Sequence, residues 1–287
     1  MPIKLYKQND LLKEDIVNEL LSGIPSLETK VYEEIMRFID SFDSSGGDFA
    51  NGILSADKIN EISVKIDDIL KREGYVQTVE TFMKDMGKVT INTNLLLDSE
   101  GYTFSKLPLS DLERKWQNLT AETLLNSGIR ADFKRPILKI LDESISYGSS
   151  ITSTRKTLSD FVLGGEDKSG KLKSYLTQTA RDSVNQMQGQ QMQSVANALG
   201  YEGISYIGGL LKDSRGQCRH WIEDLNGFIP KDKLAEEIRL AYKNQAAKKV
   251  DGPHHWGGMM PNTTVDNFMV KRGGFNCTHS AVPKRKR

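Results

Sequence analysis

The chain has 287 residues, with 39 lysines and arginines against 38 aspartates and glutamates, so its formal net charge at pH 7 is +1. This balance excludes a molecule-wide attraction to nucleic acid or to an anionic membrane, and the length predicts one or two domains that each bury a core. No run of about 18 apolar residues occurs, and residues 1–17 lack the apolar centre of a signal peptide, so we expect synthesis in a cytoplasm and no membrane segment.

The residues before Gly200 show the pattern of amphipathic helices. Apolar side chains recur at steps of three and four, as they do on helices with one buried face. The pattern predicts helices over about 27–42, 59–70, 76–92, 109–127 and 132–147. Gly74 and Gly128 follow two of these stretches, where a helix is expected to end with a residue in the left-handed conformation.

A longer helix is predicted from Leu172 to Leu199, with Gly200 at its end. Five glutamines between positions 186 and 193 give it polar positions without charge. Because glutamine is a fair helix former without charge, this helix could pack against several neighbours at once, but the interpretation we favour is a scaffold helix with a solvated polar face.

The pattern changes after Gly200. The stretches YEGISYIGGLL (201–211) and VDNFMVKRGGF (265–275) combine β-prone residues with glycines, as small hairpins do, and one helix is predicted between them over about 231–243. We therefore predict a mainly α protein with a small α+β C-terminal domain. Its expected parts are a helical body over 1–165, a long connecting helix over 166–200, and a hairpin-rich unit containing cysteine and histidine over 201–287, with a basic tail.

Cysteine and histidine are rare and are confined to the C-terminal quarter. The chain has two cysteines and four histidines, and all six lie in the last seventy positions. They are Cys218, His220, His254, His255, Cys277 and His279. Four of them form two copies of the motif Cys-x-His, and any chemistry of the chain is therefore expected in this region.

A structural zinc site is the sharpest interpretation of the duplicated motif. Residues i and i+2 of an extended strand point to the same side, so each Cys-x-His pair could direct a thiolate and an imidazole at one point. Two such strands would supply the four ligands that a tetrahedral zinc ion prefers. The candidate ligands are Cys218, His220, Cys277 and His279.

Other interpretations of these residues stay open. The cysteines can act as small buried hydrophobic side chains, with the histidines as hydrogen-bonding partners. A Cys218–Cys277 disulfide becomes an alternative outside a reducing cytoplasm. His254 and His255, which a four-ligand zinc site does not require, point instead to a metal-dependent nuclease.

The segment TARDSVNQMQGQQMQSVANALGYEGISYIGGLLKDSRGQCRHWIEDLNGFI (179–229), together with the closing GGFNCTH (273–279), resembles the phage Mu F-like (MuF) minor head proteins, also called phage head morphogenesis proteins. The matching residues are Thr179, Arg181, Gly200, Asp213, Arg215, Cys218, Gly227, Asn276 and Cys277. The resemblance covers roughly residues 169–283. It departs from the family in two respects: no HPN precedes Cys218, and His279 stands where a second cysteine is common.

The resemblance implies a structural role rather than an enzymatic one. Relatives are low-copy components of the tailed-phage head, so the expected partners are the portal and the major capsid protein, with several copies per particle. The expected location is the virion, in the capsid interior or at the portal vertex, after synthesis in the host cytoplasm. On a strand, Asp213 and Arg215 would share one side and form a charged pair or hold backbone groups of a neighbouring hairpin.

Two alternative functions belong to different classes. One is a metal-dependent nuclease or toxin-like enzyme, which needs a metal site open to solvent. The other is a DNA-binding factor for packaging or ejection, with Lys284, Arg285, Lys286 and Arg287 as candidate phosphate contacts, whose affinity would fall steeply with salt.

Overall fold

The computed structural model describes residues 2–43, 56–103, 109–147, 149–247, 250–251, 254–275 and 277–285. The helices are α1 (Pro2–Leu21), α2 (Ile24–Asp43), α3 (Ala56–Arg72), α4 (Tyr75–Ser99), α5 (Leu109–Ala121), α6 (Arg135–Ser146), α7 (Ile151–Val162), α8 (Lys171–Leu199), α9 (Gly216–Arg219), α10 (Leu234–Ala246) and α11 (Phe268–Lys271). The strands are β1 (Gly164–Gly165), β2 (Lys168–Ser169), β3 (Gly203–Ile207), β4 (Phe228–Pro230), β5 (Val250–Asp251), β6 (His254–His255) and β7 (Ser280–Lys284). The predicted fold class, mainly α with a small antiparallel sheet near the C-terminus, is confirmed.

The chain forms two compact units, each assembled from separate stretches. One consists of Met1–Asp15, Asp85–Gln117 and Ala180–Arg287, and the other of Ile16–Lys84 and Asn118–Thr179. We call them the C-terminal unit and the helical unit. These units are defined by contacts in three dimensions. The expected boundaries at 165 and 200 were drawn from composition along the chain, and they differ from the boundaries of the two units.

The helical unit is built by the apolar stripes that the sequence pattern predicted. Helix α2 packs against α3 and α7, and α6 packs against the same two helices. Its buried side chains include Val31, Ile35, Ile39, Ile62, Ile66, Phe133, Ile137, Leu141, Leu158 and Val162. Removal of this apolar surface from water is the main driving force for its folding.

One predicted helix end in this unit is wrong. Gly74 has a φ of +75° after α3, as expected for a terminating glycine, but Gly128 has a φ of −73° and the chain remains helical through it. Two π-helical turns, Glu122–Ser127 and Arg130–Lys134, join α5 to α6. A methyl group at position 128 would collide with the Tyr175 hydroxyl and the Thr123 carbonyl, so this glycine allows a close approach rather than a chain reversal.

A buried carboxylate holds the start of α8 in the helical unit. Glu28 of α2 is 3% exposed, and its Oε1 accepts a hydrogen bond of 2.8 Å from the backbone N–H of Lys173. A carboxylate at a helix N-terminus satisfies free N–H groups and interacts well with the helix dipole. Burial nevertheless raises the pKa of Glu28, although the N–H groups of Lys173 and Leu172 oppose this shift.

A Glu28→Gln variant is expected to change how stability depends on pH. Because the folded-state pKa lies above the unfolded value of about 4.3, the stability that Glu28 contributes is present below that value and is lost as pH rises through the folded pKa. The stability of wild type relative to Glu28→Gln should therefore fall as pH rises from about 4 towards neutral. Urea unfolding of both proteins across this range measures it, and a pH-independent difference would contradict the argument.

Helix α8 matches its prediction within one residue, and Gly200 ends it with a φ of +78°. Its glutamines are largely buried: Gln188, Gln191 and Gln193 are 1–2% exposed. Gln191 donates to the Thr90 carbonyl, and Gln193 accepts from the backbone N–H of Met269. The helix thus packs against several neighbours, and the expected solvated face for these glutamines is wrong. Across the described ranges, neither α8 nor any other helix is both long and apolar enough to cross a membrane.

A three-stranded antiparallel sheet with the order β4-β3-β7 lies in the C-terminal unit. Its central strand pairs Ile204 with Ile229 on one side and with Pro283 on the other. A core of aromatic side chains, Tyr206, Trp221 and Phe268, lies beside it with ring centroids 5.0–6.4 Å apart. The sheet therefore joins the stretch after Gly200 to the very end of the described chain.

The stretch VDNFMVKRGGF is helical, and its predicted strand is wrong. A 3-10 turn over Val265–Asn267 leads directly into α11. The side chains of Thr264 and Asn267 each accept a backbone N–H of the other, which forms a capping box. Such reciprocal caps satisfy the free donors of a first helical turn, and this local signal outweighs the β preference of the valines and phenylalanines.

Candidate metal centre

Three of the four predicted zinc ligands come together beside the small sheet. Cys218 lies on α9, and Cys277 and His279 lie on the extended segment that leads into β7. Strand β7 is positioned by its pairing with β3, where Ala281 lies opposite Tyr206. We call Cys218, Cys277 and His279 the Cys2His cluster.

The cluster has the compactness and the burial of a metal site. The Sγ atoms of Cys218 and Cys277 and a ring nitrogen of His279 lie within 4.8 Å of one another, and Cys277 Sγ is 3.5 Å from His279 Nδ1. The three side chains are 2%, 5% and 3% exposed. Two sulfurs and an imidazole suit a soft or borderline metal, so the cluster could hold a metal ion.

Aromatic rings enclose the cluster. The ring of Tyr206 stacks on that of His279, with centroids 5.1 Å apart and an angle of 17° between the planes. The edge of Trp221 meets Tyr206 at 5.0 Å. The Tyr206 hydroxyl lies 3.3 Å from the sulfur of Cys218 and 3.3 Å from that of Cys277. The rings therefore fix the imidazole plane and hold a phenol group against both thiols.

Two side chains from the Asp-x-Arg region hold the loop that carries Cys277. The Arg215 guanidinium donates to the carbonyl of Gly273 at 3.0 Å and also to that of Phe275. The fully buried amide of Gln217 donates to the carbonyls of Gly257 at 2.7 Å and Gly273 at 3.2 Å. Cys218 is the next residue after Gln217 on α9. These bonds therefore set the distance between Cys218 and Cys277.

An Arg215→Lys variant is expected to lose about 1–3 kcal/mol of unfolding free energy, because a lysine cannot reproduce the planar fork that holds two carbonyls and one carbonyl is left unpaired. Chemical denaturation measures the change. The matched control is Arg239→Lys, at an exposed position of α10, where we expect less than about 0.5 kcal/mol. Equal effects at the two positions would contradict the role given to Arg215.

Two buried cations lie next to the cluster. The Arg272 guanidinium donates to the carbonyl of His279. The Lys13 ammonium donates to the Asn185 side chain at 3.2 Å, whose amide donates to the carbonyl of Cys277 at 3.1 Å. Burial lowers the pKa of both Lys13 and Arg272. Positive charges in a buried site favour the anionic form of a nearby thiol.

The two thiols titrate as a coupled pair, and neither forms a disulfide. A hydrogen bond from the Cys218 thiol lowers the pKa of Cys277 well below its usual range, and His279 and Arg272 add to this shift. The same hydrogen bond, together with burial, raises the pKa of Cys218. A thiolate on Cys277 beside a thiol on Cys218 is therefore the favoured metal-free state.

The assignment of His220 to this cluster is wrong. The first Cys-x-His lies on α9 and the π-helical turn His220–Asp224, not on a strand. Residues i and i+2 of a helix are rotated by about 200°, so their side chains point apart. His220 instead places Nδ1 2.7 Å from Asp224 and Nε2 2.9 Å from Glu237. The strand argument holds only for Cys277 and His279.

The structure also describes the positions of three other residues of the MuF resemblance, Asp213, Gly227 and Arg181. Asp213 is exposed on a turn before α9, so the Asp-x-Arg segment is not a strand and Arg215 holds backbone carbonyls instead. Gly227 has a φ of +69° and follows Asn226 at +50°, which forms the turn into β4 as expected. Arg181 pairs with Glu14 at 2.7 Å.

Part of the basic tail contacts the protein itself. Lys284 is 2.6 Å from the carboxylate of Glu100. Arg285 donates to the carbonyl of Gly101 at 3.1 Å and lies over the ring of Tyr102 at 5.3 Å. Asn276, Lys286 and Arg287 lie outside the described residues. The backbones of His254 and His255 form β6, paired with β5, and their side chains lie outside what the structure describes.

Sequence reasoning missed several residues that build the cluster. They are Lys13, Tyr206, Gln217, Arg272 and Gly273. The Gly-Gly pair at 273–274, directly before the Cys-x-His motif, was the available signal, because glycine often marks a close approach of backbone to another group. Lys13 carries no such signal, since its contacts with Asn185 and Gln188 lie more than 170 positions away in the sequence.

Comparison with known proteins gives no relative: no family model, no curated protein and no solved structure matches the chain. The resemblance to the MuF family therefore rests on the quoted residues alone.

Proposed function

We propose that the chain is a minor head protein of a tailed bacteriophage, that it binds the portal or the major capsid protein, and that it acts in head morphogenesis without catalysis. The supporting observation is that three residues of the MuF resemblance, Arg215, Cys218 and Cys277, meet at or beside one buried cluster. Arg215 holds the loop before Cys277, Cys218 lies beside Cys277, and Gly227 makes the turn into the sheet. Each of these residues has a structural role.

The cluster holds a structural zinc ion in this proposal. Zinc binds cysteine sulfur and histidine nitrogen, and structural sites are closed to solvent whereas catalytic sites keep an open position. The side chains of the Cys2His cluster are at most 5% exposed, which favours the closed type. A metal would connect α9 to the segment before β7 and so fix these two distant segments against each other.

The alternatives have weaker support. A metal-dependent nuclease or toxin-like enzyme needs solvent and substrate at its metal, and the donor atoms found together here are buried. A DNA-binding role through the tail needs free cations, and Lys284 and Arg285 are engaged within the protein. Contact with packaged DNA, during packaging or ejection, is thus the less supported part of the proposal.

Quantitative mass spectrometry of particles made by the genome that encodes the chain tests this function. We expect the chain in purified heads, at low copy relative to the major capsid protein and in a fixed ratio to the portal protein. Its absence from heads that contain the normal complement of portal would contradict the proposal.

A further inference from the structure

The Tyr206 hydroxyl occupies an unusual environment for a buried phenol. Tyr206 is 1% exposed, and within the described part of the chain its hydroxyl has hydrogen-bond contacts only with the sulfurs of Cys218 and Cys277. Sulfur is a weak hydrogen-bond partner, and buried tyrosine hydroxyls normally find a good one. Among the described residues, the phenol oxygen therefore has only sulfur atoms as partners in the metal-free site.

The distances around this oxygen match those between ligands of one metal. With zinc bonds of about 2.3 Å to sulfur and 2.0–2.1 Å to nitrogen or oxygen, a tetrahedral site separates a sulfur from a nitrogen or an oxygen by about 3.5 Å. Cys277 Sγ is 3.5 Å from His279 Nδ1. The phenol oxygen is 3.3 Å from each sulfur. Three ligand-to-ligand separations thus already have the size that one bound ion requires.

The charges around the site fit a donor set that includes this phenol. A divalent ion bound to two thiolates and one phenolate leaves a net charge of −1 at the site. A buried negative charge needs a nearby cation, and the buried guanidinium of Arg272 donates to the backbone of His279 beside it, while Lys13 is linked to Cys277 through Asn185.

We propose that Tyr206 is the fourth ligand of the metal, so that the site binds a divalent zinc-type ion through two sulfurs, one imidazole nitrogen and one phenol oxygen. This inference rests on the metal site of the proposed function. On binding, the Cys218 thiol and the phenol release their protons to solvent, Cys277 binds as the thiolate, the sulfur and oxygen lone pairs bind the ion, and no group is oxidised or reduced. The sulfur-rich set disfavours calcium and magnesium, which bind through oxygen.

Titration of Zn²⁺ into metal-stripped, full-length protein tests the inference. Wild type, Tyr206→Phe and the control Tyr102→Phe are compared by ultraviolet difference spectroscopy, which detects a metal-bound tyrosinate, and by competition with a chromophoric chelator, which gives the affinity. Tyr102 is a matched control because it is a buried tyrosine of the same unit, with its hydroxyl bonded to the Gly200 carbonyl at 3.3 Å. Circular dichroism checks that both variants fold.

We expect a tyrosinate signal at one equivalent of zinc in wild type and Tyr102→Phe, its loss in Tyr206→Phe, and roughly tenfold or more weaker binding in that variant. If wild type binds one zinc without a tyrosinate signal, and Tyr206→Phe binds equally well, the fourth-ligand assignment is wrong and the Cys2His metal site remains. If wild type binds no zinc, the metal site itself is wrong, and the role in the phage head is still decided by the composition of the particles. The wild-type spectrum decides the assignment even if Tyr206→Phe fails to fold.

Discussion

A Gln217→Leu variant is expected to lose about 2–6 kcal/mol of unfolding free energy, at roughly 1–3 kcal/mol for each buried backbone group left without a partner. The side chain is fully buried. Its amide nitrogen donates to the carbonyl of Gly257 at 2.7 Å, and its oxygen accepts from the N–H of Gly257 at 3.3 Å. Leucine has a similar size but cannot replace either bond. Native stabilities are commonly only 5–15 kcal/mol, so this loss would be a large fraction of the total.

Urea unfolding measures this change, with Gln190→Leu as the matched control. Gln190 is partly exposed on α8, and among the described residues its amide hydrogen-bonds only to the Ser194 side chain, at 3.4 Å. We expect less than about 0.5 kcal/mol at that position. A Gln217→Leu variant as stable as wild type would show that the 257 and 273 loops do not depend on this side chain.

A Gly273→Ala variant is expected to disrupt the Cys2His cluster directly. A methyl group there would lie 2.5 Å from the Tyr206 hydroxyl, 2.6 Å from Cys218 Sγ and 2.8 Å from Cys277 Sγ. All three groups are buried, so they can move only by displacing the surrounding core, at about 1–3 kcal/mol for overpacking. The same displacement would separate the donor atoms of the cluster. The zinc affinity of Gly273→Ala should therefore fall by more than its loss of unfolding free energy alone would cause.

Gly209→Ala is the control for this variant, because a methyl group at position 209 meets no atom within 4 Å. Zinc affinity by chelator competition and stability by urea unfolding are measured for both variants. Equal zinc affinity for Gly273→Ala and Gly209→Ala would mean that the metal does not bind between Tyr206 and the two sulfurs.

The helices that the sequence predicted are found because each carries its own periodic signal, whereas α1, α7, α9 and α11 were not among the predictions. The long helix was expected over 172–199 and is found over Lys171–Leu199. Glycine was less informative, since the same residue serves two purposes. Gly200 ends a helix with a φ of +78°, whereas Gly128 stays helical and allows a close approach of Tyr175. Only the three-dimensional packing separates these uses.

The sequence predicted only part of the candidate site, because its argument depended on the local backbone conformation. The rule that residues i and i+2 share a side depends on extended backbone, which Cys277 and His279 have and which Cys218 and His220 lack. The resemblance to MuF proteins identified both cysteines and Arg215 but gave no geometry. Tyr206, which lies 12 positions before Cys218 and 71 before Cys277, belongs to the site only because β3 pairs with β7.

In the proposed function, the metal holds separate segments of the C-terminal unit in one arrangement. The small sheet and the two short helices lie on a core of buried apolar side chains that includes Tyr206, Trp221 and Phe268, and a bound metal would add a link between segments that are distant in the sequence. The Cys2His cluster connects α9 to the segment before β7, and two buried cations accompany it. A protein that must hold its shape while bound inside a capsid has a use for such a centre without any catalysis.

Elemental analysis of the purified full-length protein, combined with a count of reactive thiols under conditions that retain metal, tests the central claim most directly. The account predicts about one zinc per chain, with both cysteines protected from thiol reagents until the protein is unfolded or stripped of metal. A protein without metal whose two cysteines are free thiols would contradict the claim, and the cluster would then serve only to pack the C-terminal unit.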